Sequence, residues 1–311
     1  MEKKYSIGVD IGGSHISSAA VDLARREIVR ETLVEIPVDN KAEAALIISQ
    51  WSKAIGESVS RVPAGTVRGV GFAMPGPFDY VNGICLIKGV PKYEKLYGTD
   101  IGKSVAAELN LNGEMDFRFM NDASSFAVGE AWAGKSAGSS GSMAITLGTG
   151  FGSAFVKGAV PVVTGDTVPD LGCVYHIKYG DGIADDYFST RWFTSEYKEL
   201  TGKDASGVKD IAEAAKLNED VRNIFNHFGS SLGGFLAPFL IKFGAEVLVI
   251  GGNISRAFDL FGPDLIKALA DQGCNTKVSV SVLKEDAALL GSAYLLDDNF
   301  WNEVKDILQY M

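Results

Sequence analysis

Two glycine turns and one aspartate are the places where residue type and spacing in this chain could do chemistry. The first turn is Asp10-Ile11-Gly12-Gly13-Ser14, which closes an apolar run beginning at Tyr5. Glycines carry no Cβ, so backbone N–H groups there can approach an anion, and the Ser14 hydroxyl can add a hydrogen bond to phosphate. Asp10 could hold Mg2+ through water, because that ion prefers oxygen ligands and keeps much of its hydration. The second turn is Leu147-Gly148-Thr149-Gly150-Phe151-Gly152. It does not fit a dinucleotide fingerprint, since a strand follows it where a long helix would have to open. A third piece, Val249-Ile250-Gly251-Gly252-Asn253, is a strand-to-helix turn whose backbone a nucleoside could lie against. Asn121-Asp122 ends a short strand ahead of a helix. Phosphoryl transfer to an alcohol needs a carboxylate near the acceptor hydroxyl to orient it and take its proton. Asp122 suits that part, and Asn121 could hydrogen-bond a neighbouring hydroxyl. Both features also have plain structural uses: a Gly-Gly hairpin with a solvated Asp10, and a helix whose N-cap is Asp122.

The elements that must position these residues follow from hydrophobic periodicity. Residues 5–10 and 16–22 read as strands on either side of the first turn, and 28–37 as a third. Residues 41–60 carry Ala44, Ala45, Ile48, Trp51 and Ile55 at helical spacing. A strand over 67–73 then ends at the rigid Pro75-Gly76-Pro77. Residues 100–109 predict a helix capped by Thr99, 116–120 a strand and 124–133 a helix. Strands at 143–147 and 153–157 flank the second turn, so the pattern strand, glycine turn, strand occurs twice. The separation is too long for a solenoid. Two similar domains, each opening with a β-hairpin, account for it, and a cleft between them is the expected ligand site. Beyond, helices are expected at 185–200, 208–216, 219–243, 257–270, 286–296 and 300–310, with strands at 247–250 and 278–283. Phe225, Phe228, Phe235 and Phe239 recur at helical spacing and read as core.

The bulk composition narrows the class. The chain has 311 residues, of which 46% are apolar and 22% charged, so it is globular and long enough for two domains. A net charge of −10 with no dense Lys/Arg block argues against a nucleic-acid partner. Cys85, Cys173 and Cys274 are sparse and odd in number, which fits a reducing compartment. No secretory h-region follows Met1, and no apolar run reads as a membrane span, so a cytoplasmic location is expected.

Taken together, Asp10-Ile11-Gly12-Gly13-Ser14, Met74-Pro75-Gly76-Pro77-Phe78-Asp79, Asn121-Asp122-Ala123, Leu147-Gly148-Thr149-Gly150-Phe151-Gly152 and Ile250-Gly251-Gly252-Asn253 resemble the ROK (repressor/ORF/kinase) family of sugar kinases and repressors. That family lies within the hexokinase/actin-like ATPase superfamily. The resemblance implies an α/β fold of two actin-like ATPase (ribonuclease H-like) domains with a cleft between them. The N-terminal domain would span 1–120 plus a C-terminal helix at 298–311, and the larger domain 121–297. It also implies transfer of the γ-phosphoryl group of ATP, with Mg2+, to a hydroxyl of a hexose or N-acetylhexosamine, as in a glucokinase. Asp10, Gly12, Gly13 and Ser14 would meet phosphate and Mg2+; Gly148, Thr149 and Gly150 would form a second phosphate turn; Gly251 and Gly252 would flank the adenosine. Asp122 would be the catalytic base, Asn121 a sugar ligand, and Gly76 part of the loop lining the sugar pocket. Dimers are common in the family, so a homodimer is an open expectation.

The departures from the family pattern fall in one stretch. Family kinases carry Glu-x-Gly-His and then Cys-x-Cys-Gly-x-x-Gly-Cys-Leu-Glu, a zinc segment that shapes the sugar site. Here the corresponding residues are Asp170-Leu171-Gly172-Cys173, then His176 through Gly182-Ile183-Ala184-Asp185. Structural zinc takes four ligands, and Cys173 and His176 supply two at most, so zinc is not expected. A metal-free loop packed on Tyr175, Tyr179 and Tyr187 is expected in its place. Asp170 and Asp185, each a methylene shorter than the family glutamates, could reach sugar hydroxyls or be ordinary exposed acids. His15 and His227 have no second ligand beside them. A rival reading is a silent, sugar-binding regulatory member. Family repressors carry a helix-turn-helix domain ahead of the first hairpin, which starts here at Tyr5, so a member without one is expected. Retention of Asp10, both glycine turns and Asp122 favours chemistry.

Overall fold

The structure, a computed structural model, describes residues 3–90, 92–111 and 115–311. Two α/β units make up the chain: Met1–Gly134 with Ala159–Pro161 and Glu285–Met311, and Lys135–Gly158 with Val162–Lys284. In chain order the elements are β1 (Tyr5–Ile11), β2 (His15–Asp22), β3 (Glu27–Ile28), β4 (Val34–Pro37), α1 (Ala44–Ser60), β5 (Val67–Met74), β6 (Phe78–Asp79), β7 (Ile84–Cys85), α2 (Ile101–Glu108), β8 (Asp116–Asn121) and α3 (Asp122–Ala133). There follow β9 (Ser142–Leu147), β10 (Phe151–Lys157), β11 (Val160–Pro161), β12 (Lys178–Tyr179), β13 (Gly182–Ile183), α4 (Ala184–Tyr187), α5 (Thr190–Thr201), α6 (Val208–Ala215), α7 (Glu219–Phe243), β14 (Val247–Gly251), α8 (Phe258–Asp271), β15 (Lys277–Val280), α9 (Asp286–Tyr294) and α10 (Asp298–Val304).

The sheet of the first unit runs β3-β2-β1-β5-β8, with β4 paired to the start of β2. β1 and β2 form an antiparallel hairpin, while β1–β5 and β5–β8 are parallel. In the second unit, β10 and β9 are antiparallel, and β9–β14 and β14–β15 are parallel. The two units therefore repeat one plan, a hairpin followed by two parallel strands. Parallel strands covered on both faces read as continuous apolar runs. Accordingly Ile7, Val9, Val70 and Phe72 are fully buried in one sheet, and Met143, Ile145, Leu248 and Ile250 in the other.

In the first unit, α9 is held at a distance set by missing side chains. A Cβ on Gly8 would stand 2.0 Å from the Leu289 carbonyl oxygen, and one on Gly71 only 1.8 Å from that of Ser292. On the helix's other side, Gly129 of α3 would meet the Ala287 oxygen at 1.9 Å, and Gly291 of α9 that of Ser125 at 1.9 Å. Backbone thus rests on backbone on two sides, and the Ser292 hydroxyl, accepting from the Val9 N–H at 3.2 Å, bolts α9 to β1. This packing draws 121–134 and 285–297 into the first unit, whereas the sequence reading placed both stretches in the second domain.

Local differences from the sequence reading have local causes. The expected strand over 28–37 divides into β3 and β4 around a single 3-10 turn at Arg30–Thr32. There the Thr32 hydroxyl takes the Ala20 N–H at 2.8 Å, in place of a ladder partner. Asp100, not Thr99, caps α2 by accepting the Lys103 N–H at 2.9 Å. The helix expected at 185–200 breaks between α4 and α5, because Phe188 turns into the aromatic core beside Phe151, Phe228 and Phe235.

The core of the second unit is built on α7. By length and composition this helix could cross a membrane, yet over half of its most apolar stretch is buried inside the unit. Phe225, Phe228 and Phe235 are buried there and Phe239 is half-buried. Gly229 of α7 lets α8 approach so closely that a Cβ would lie 2.1 Å from the Phe261 oxygen, while Gly234 faces only the flexible Gln272 side chain at 3.5 Å. The same substitution should therefore act oppositely at two sites on one helix. Gly229→Ala should cost about 2–3 kcal/mol through overpacking, and Gly234→Ala should be neutral or stabilising by up to about 1 kcal/mol, as read from urea denaturation midpoints. Equal effects at both positions would show that backbone approach does not set this packing.

Candidate active site

In the first unit the parallel strands bring the candidate residues to one sheet edge. Asp10 is level with Ala73, and Met74 with Asn121, so Asp10 and Asp122 both leave the sheet at the carboxyl ends of its strands. That edge is where open α/β sheets receive ligands. The first glycine turn is closed by Gly12 N–H to the His15 carbonyl at 3.1 Å. Its other carbonyls are held inward: the Tyr93 hydroxyl donates to Gly12 O at 2.6 Å, and the Asn40 amide donates to Gly13 O. Tyr93 is itself seated edge-on against Trp51, with ring centroids 5.4 Å apart. Lys92 places its Nζ 3.9 Å from where a Gly13 Cβ would stand. The backbone N–H groups of Gly13 and Ser14 are given to no other described residue, so they form an exposed donor pair. Nothing local in the sequence marks Asn40, Lys92 or Tyr93 as partners of this turn.

Asp10 is partly buried at the end of β1, and burial is the main reason its carboxyl is pushed up to about 7. The negative charges of Asp122 and Glu285 push the same way, and Lys92 opposes them. Two further carboxylates and one opposing ammonium thus act on Asp10 through space. Among the described residues no group of three His, Cys, Asp or Glu side chains could hold a metal ion directly, so Mg2+ here would have to be held by Asp10 through water.

Asp122 is the first residue of α3. The cap of this helix is Asn121, whose Oδ1 accepts the Ser124 N–H at 3.1 Å. Asp122 is thereby released from capping. Its Oδ1 accepts the Ala123 N–H at 2.8 Å and the Asn121 Nδ2 at 3.0 Å, while its Oδ2 has no partner among the described residues. Asn121 Nδ2 also donates to the Tyr80 hydroxyl at 3.3 Å, and Tyr80 in turn donates to the Met74 carbonyl at 3.1 Å. Gly76 is exposed between β5 and β6, where a Cβ would stand 3.3 Å from that hydroxyl. Tyr80 therefore ties the Gly76 loop to the start of α3, a link the sequence reading missed.

In the second unit, the two other glycine pieces meet at one edge. Gly251 is in register with Thr146, and Gly252, at φ +78°, would carry a Cβ 2.3 Å from the Leu147 oxygen. The turn Gly148-Thr149-Gly150 is closed by Gly148 N–H to Gly150 O at 3.0 Å, and Gly148 O accepts both the Thr190 N–H and its hydroxyl. The N–H groups of Thr149 and Gly150 are taken by no other described residue. Asp185 is partly exposed, yet both its oxygens are engaged: its Oδ1 accepts the Phe151 N–H at 2.6 Å, and its Oδ2 pairs with Arg191 at 2.7 Å. Asp170, by contrast, is exposed in a 3-10 turn. Cys173 Sγ lies 3.7 Å from His176 Nδ1, and burial pushes the thiol up to about 11. Tyr179 packs on Tyr187 and Phe188, while Tyr175 is exposed against His176. His227 rests on Trp192.

The ROK family model matches residues 6–299. The chain belongs to the ROK family. A glucokinase from Thermotoga maritima is 27% identical over 96% of this chain and 99% of its own length. An N-acetyl-D-glucosamine kinase from Haemophilus influenzae is 24% identical over 84% of this chain and 88% of its own. The crystal structure of a ROK family glucokinase from Streptomyces griseus, in complex with glucose and AMPPNP, aligns with a TM-score of 0.73 at 21% identity, covering 94% of this chain and 98% of that one. The two α/β units of this ROK chain accordingly have the actin-like ATPase fold.

The electrostatics of Asp10 generate a pH-dependent expectation. The folded protein keeps the Asp10 proton up to about pH 7, against an ordinary value of 3.8. The folded state therefore binds more protons than the unfolded chain across that window, and this group's contribution to stability is lost as pH rises through it. Asp10→Asn should raise the melting temperature relative to wild type at pH 8, in the absence of nucleotide and Mg2+, and should raise it much less at pH 4. A pH-independent difference in differential scanning fluorimetry would mean the carboxylate cluster does not carry this strain.

Proposed function

We infer that this ROK chain is a sugar kinase that transfers the γ-phosphoryl group of Mg-ATP to a hydroxyl of a hexose or N-acetylhexosamine. The observation that carries the reading is the state of Asp122: one carboxylate oxygen is fixed by two hydrogen bonds, and the other has no partner among the described residues. A general base needs both properties, orientation and an unclaimed lone pair. Asp122 takes the proton of the acceptor hydroxyl as it attacks phosphorus. Asn121 and the loop at Gly76 line the sugar's side, with Asp170 within the segment that differs from the family pattern. The N–H groups of Gly13 and Ser14, in the turn that Gly12 closes, and those of Thr149 and Gly150, in the turn that Gly148 closes, hold phosphate oxygens, while Gly251 and Gly252 flank the adenosine. Asp10 would hold Mg2+ through water, and that ion would supply charge neutralisation at the phosphates. The named activities of the glucokinase and N-acetyl-D-glucosamine kinase relatives support a hexose or its N-acetylamino derivative as acceptor. A cytoplasmic location completes the proposal.

A second reading, a sugar-binding regulatory member without turnover, draws on one observation. Asp185, a candidate sugar ligand, is engaged by Phe151 and Arg191. One assay separates the two. Purified protein with Mg-ATP and glucose, mannose, N-acetylglucosamine or N-acetylmannosamine should release ADP in a sugar-dependent way. Asp122→Asn should then lower kcat by about 10²–10⁴-fold while leaving the sugar Kd nearly unchanged. Sugar binding with no ADP release from the wild type would favour the regulator, and an Asp122→Asn enzyme of near-normal kcat would remove Asp122 as the base.

A further inference from the structure

The segment that departs from the family pattern has acquired an unusual contact. Asp185 and Asp186 are adjacent acids with separate tasks. Asp186 turns back on its own loop, its Oδ2 accepting the Ile183 N–H at 3.1 Å. Asp185 reaches 34 residues back along the chain, to the Phe151 N–H at 2.6 Å. Its backbone is fixed for this, since Asp185 N–H donates to Tyr175 O at 3.0 Å and Ala184 N–H to Ile177 O at 2.9 Å. Gly150 is the residue that admits the carboxylate, for a Cβ there would stand 3.0 Å from Asp185 Oδ1. A carboxylate so close to a turn proposed to receive phosphate would repel it. Arg191, in the first turn of α5, answers that charge with Nη2 2.7 Å from Asp185 Oδ2 and 3.6 Å from Asp186 Oδ1. The preceding residue, Thr190, gives both its N–H and its hydroxyl to Gly148 O at 2.8 and 2.9 Å. The turn is therefore gripped at both ends by one short stretch, 185–191.

We propose that Asp185 and Arg191 form a charge-neutral brace on the turn Gly148-Thr149-Gly150-Phe151: Asp185 positions the turn, and Arg191 cancels its charge so that the exposed N–H groups can take the phosphates of a nucleotide. This assigns Asp185 to the nucleotide side, where the family likeness suggests a sugar ligand, and it rests on the kinase reading above. Asp185 and Arg191 are positioning residues, acting through the turn.

The test is a charge rescue, measured by titration calorimetry with Mg-AMPPNP and, separately, with whichever panel sugar the wild type binds. Arg191→Ala leaves the carboxylate uncompensated and should weaken AMPPNP binding about tenfold or more. Asp185→Asn keeps a carbonyl acceptor for the Phe151 N–H and sheds the charge, so its affinity should stay within about threefold of wild type. The double variant Asp185→Asn/Arg191→Ala should recover to nearly the Asp185→Asn value, outside the bounds of simple additivity. Asp185→Ala removes the acceptor and should increase hydrogen exchange at the Phe151 amide. Sugar affinity should be unchanged throughout. A double variant as weak as Arg191→Ala alone, or a loss of sugar affinity in Asp185→Asn, would overturn the brace. A wild type that binds no AMPPNP, yet still shows Asp185-dependent protection of the Phe151 amide, would overturn the nucleotide role and the kinase reading while leaving the structural contact intact.

Discussion

The approach of α9 to its two neighbours is the constraint on which the first unit depends. Gly8 and Gly71 on the sheet, Gly129 on α3 and Gly291 on α9 itself let carbonyls lie where any side chain would collide. Interiors pack as densely as crystals, so a contact of backbone on backbone admits almost no slack. Three of the four acidic and basic groups that matter at the sheet edge are placed by it. Asp10 is the second-last residue of the strand that α9 covers, Glu285 immediately precedes α9, and Asp122 begins the helix that packs on its other side. The negative charges that add to the effect of burial on Asp10 follow from this geometry, since they stand at the ends of elements locked together.

The two units treat negative charge differently. In the first, Asp10 is acted on by the charges of Asp122 and Glu285, with Lys92 opposing them. The second presents backbone donors, and the carboxylate it does place nearby is matched by a guanidinium. The plan shared by the two sheets, a hairpin followed by parallel strands, puts a glycine turn at the same point of each, so their different chemistry lies in the side chains added around a common backbone device.

Much of this was legible in the sequence, and what was not shares one physical reason. The hairpin strands, the helix over 219–243 with its phenylalanine stripe, and the repeat of the glycine turns can be read because they depend on neighbours within a few residues. Tyr93 on Gly12, Asn40 on Gly13 and Asp185 on Phe151 join residues 81, 27 and 34 positions apart, and periodicity carries no signal over such separations. The cap of α3 was misplaced by one residue because Asn and Asp are nearly equal caps, and only the Tyr80 hydroxyl beside Asn121 distinguishes them. The first unit's boundary escaped for the same reason, since small residues such as those of α9 look weak in a hydrophobic pattern although they permit the tightest contact in the unit.

Asn121 has a consequence of its own. Its amide is used at both ends, the oxygen by a helix terminus and the nitrogen by a tyrosine and a carboxylate. Reversing the amide would set donor against donor on one side and leave an acceptor without a proton on the other, so one orientation alone satisfies every neighbour. The rotational freedom of the adjoining acid is thus surrendered when the chain folds, before any reactant arrives. Whatever group meets Asp122 encounters a carboxylate already oriented, so little of that side chain's ordering entropy remains to be lost on contact.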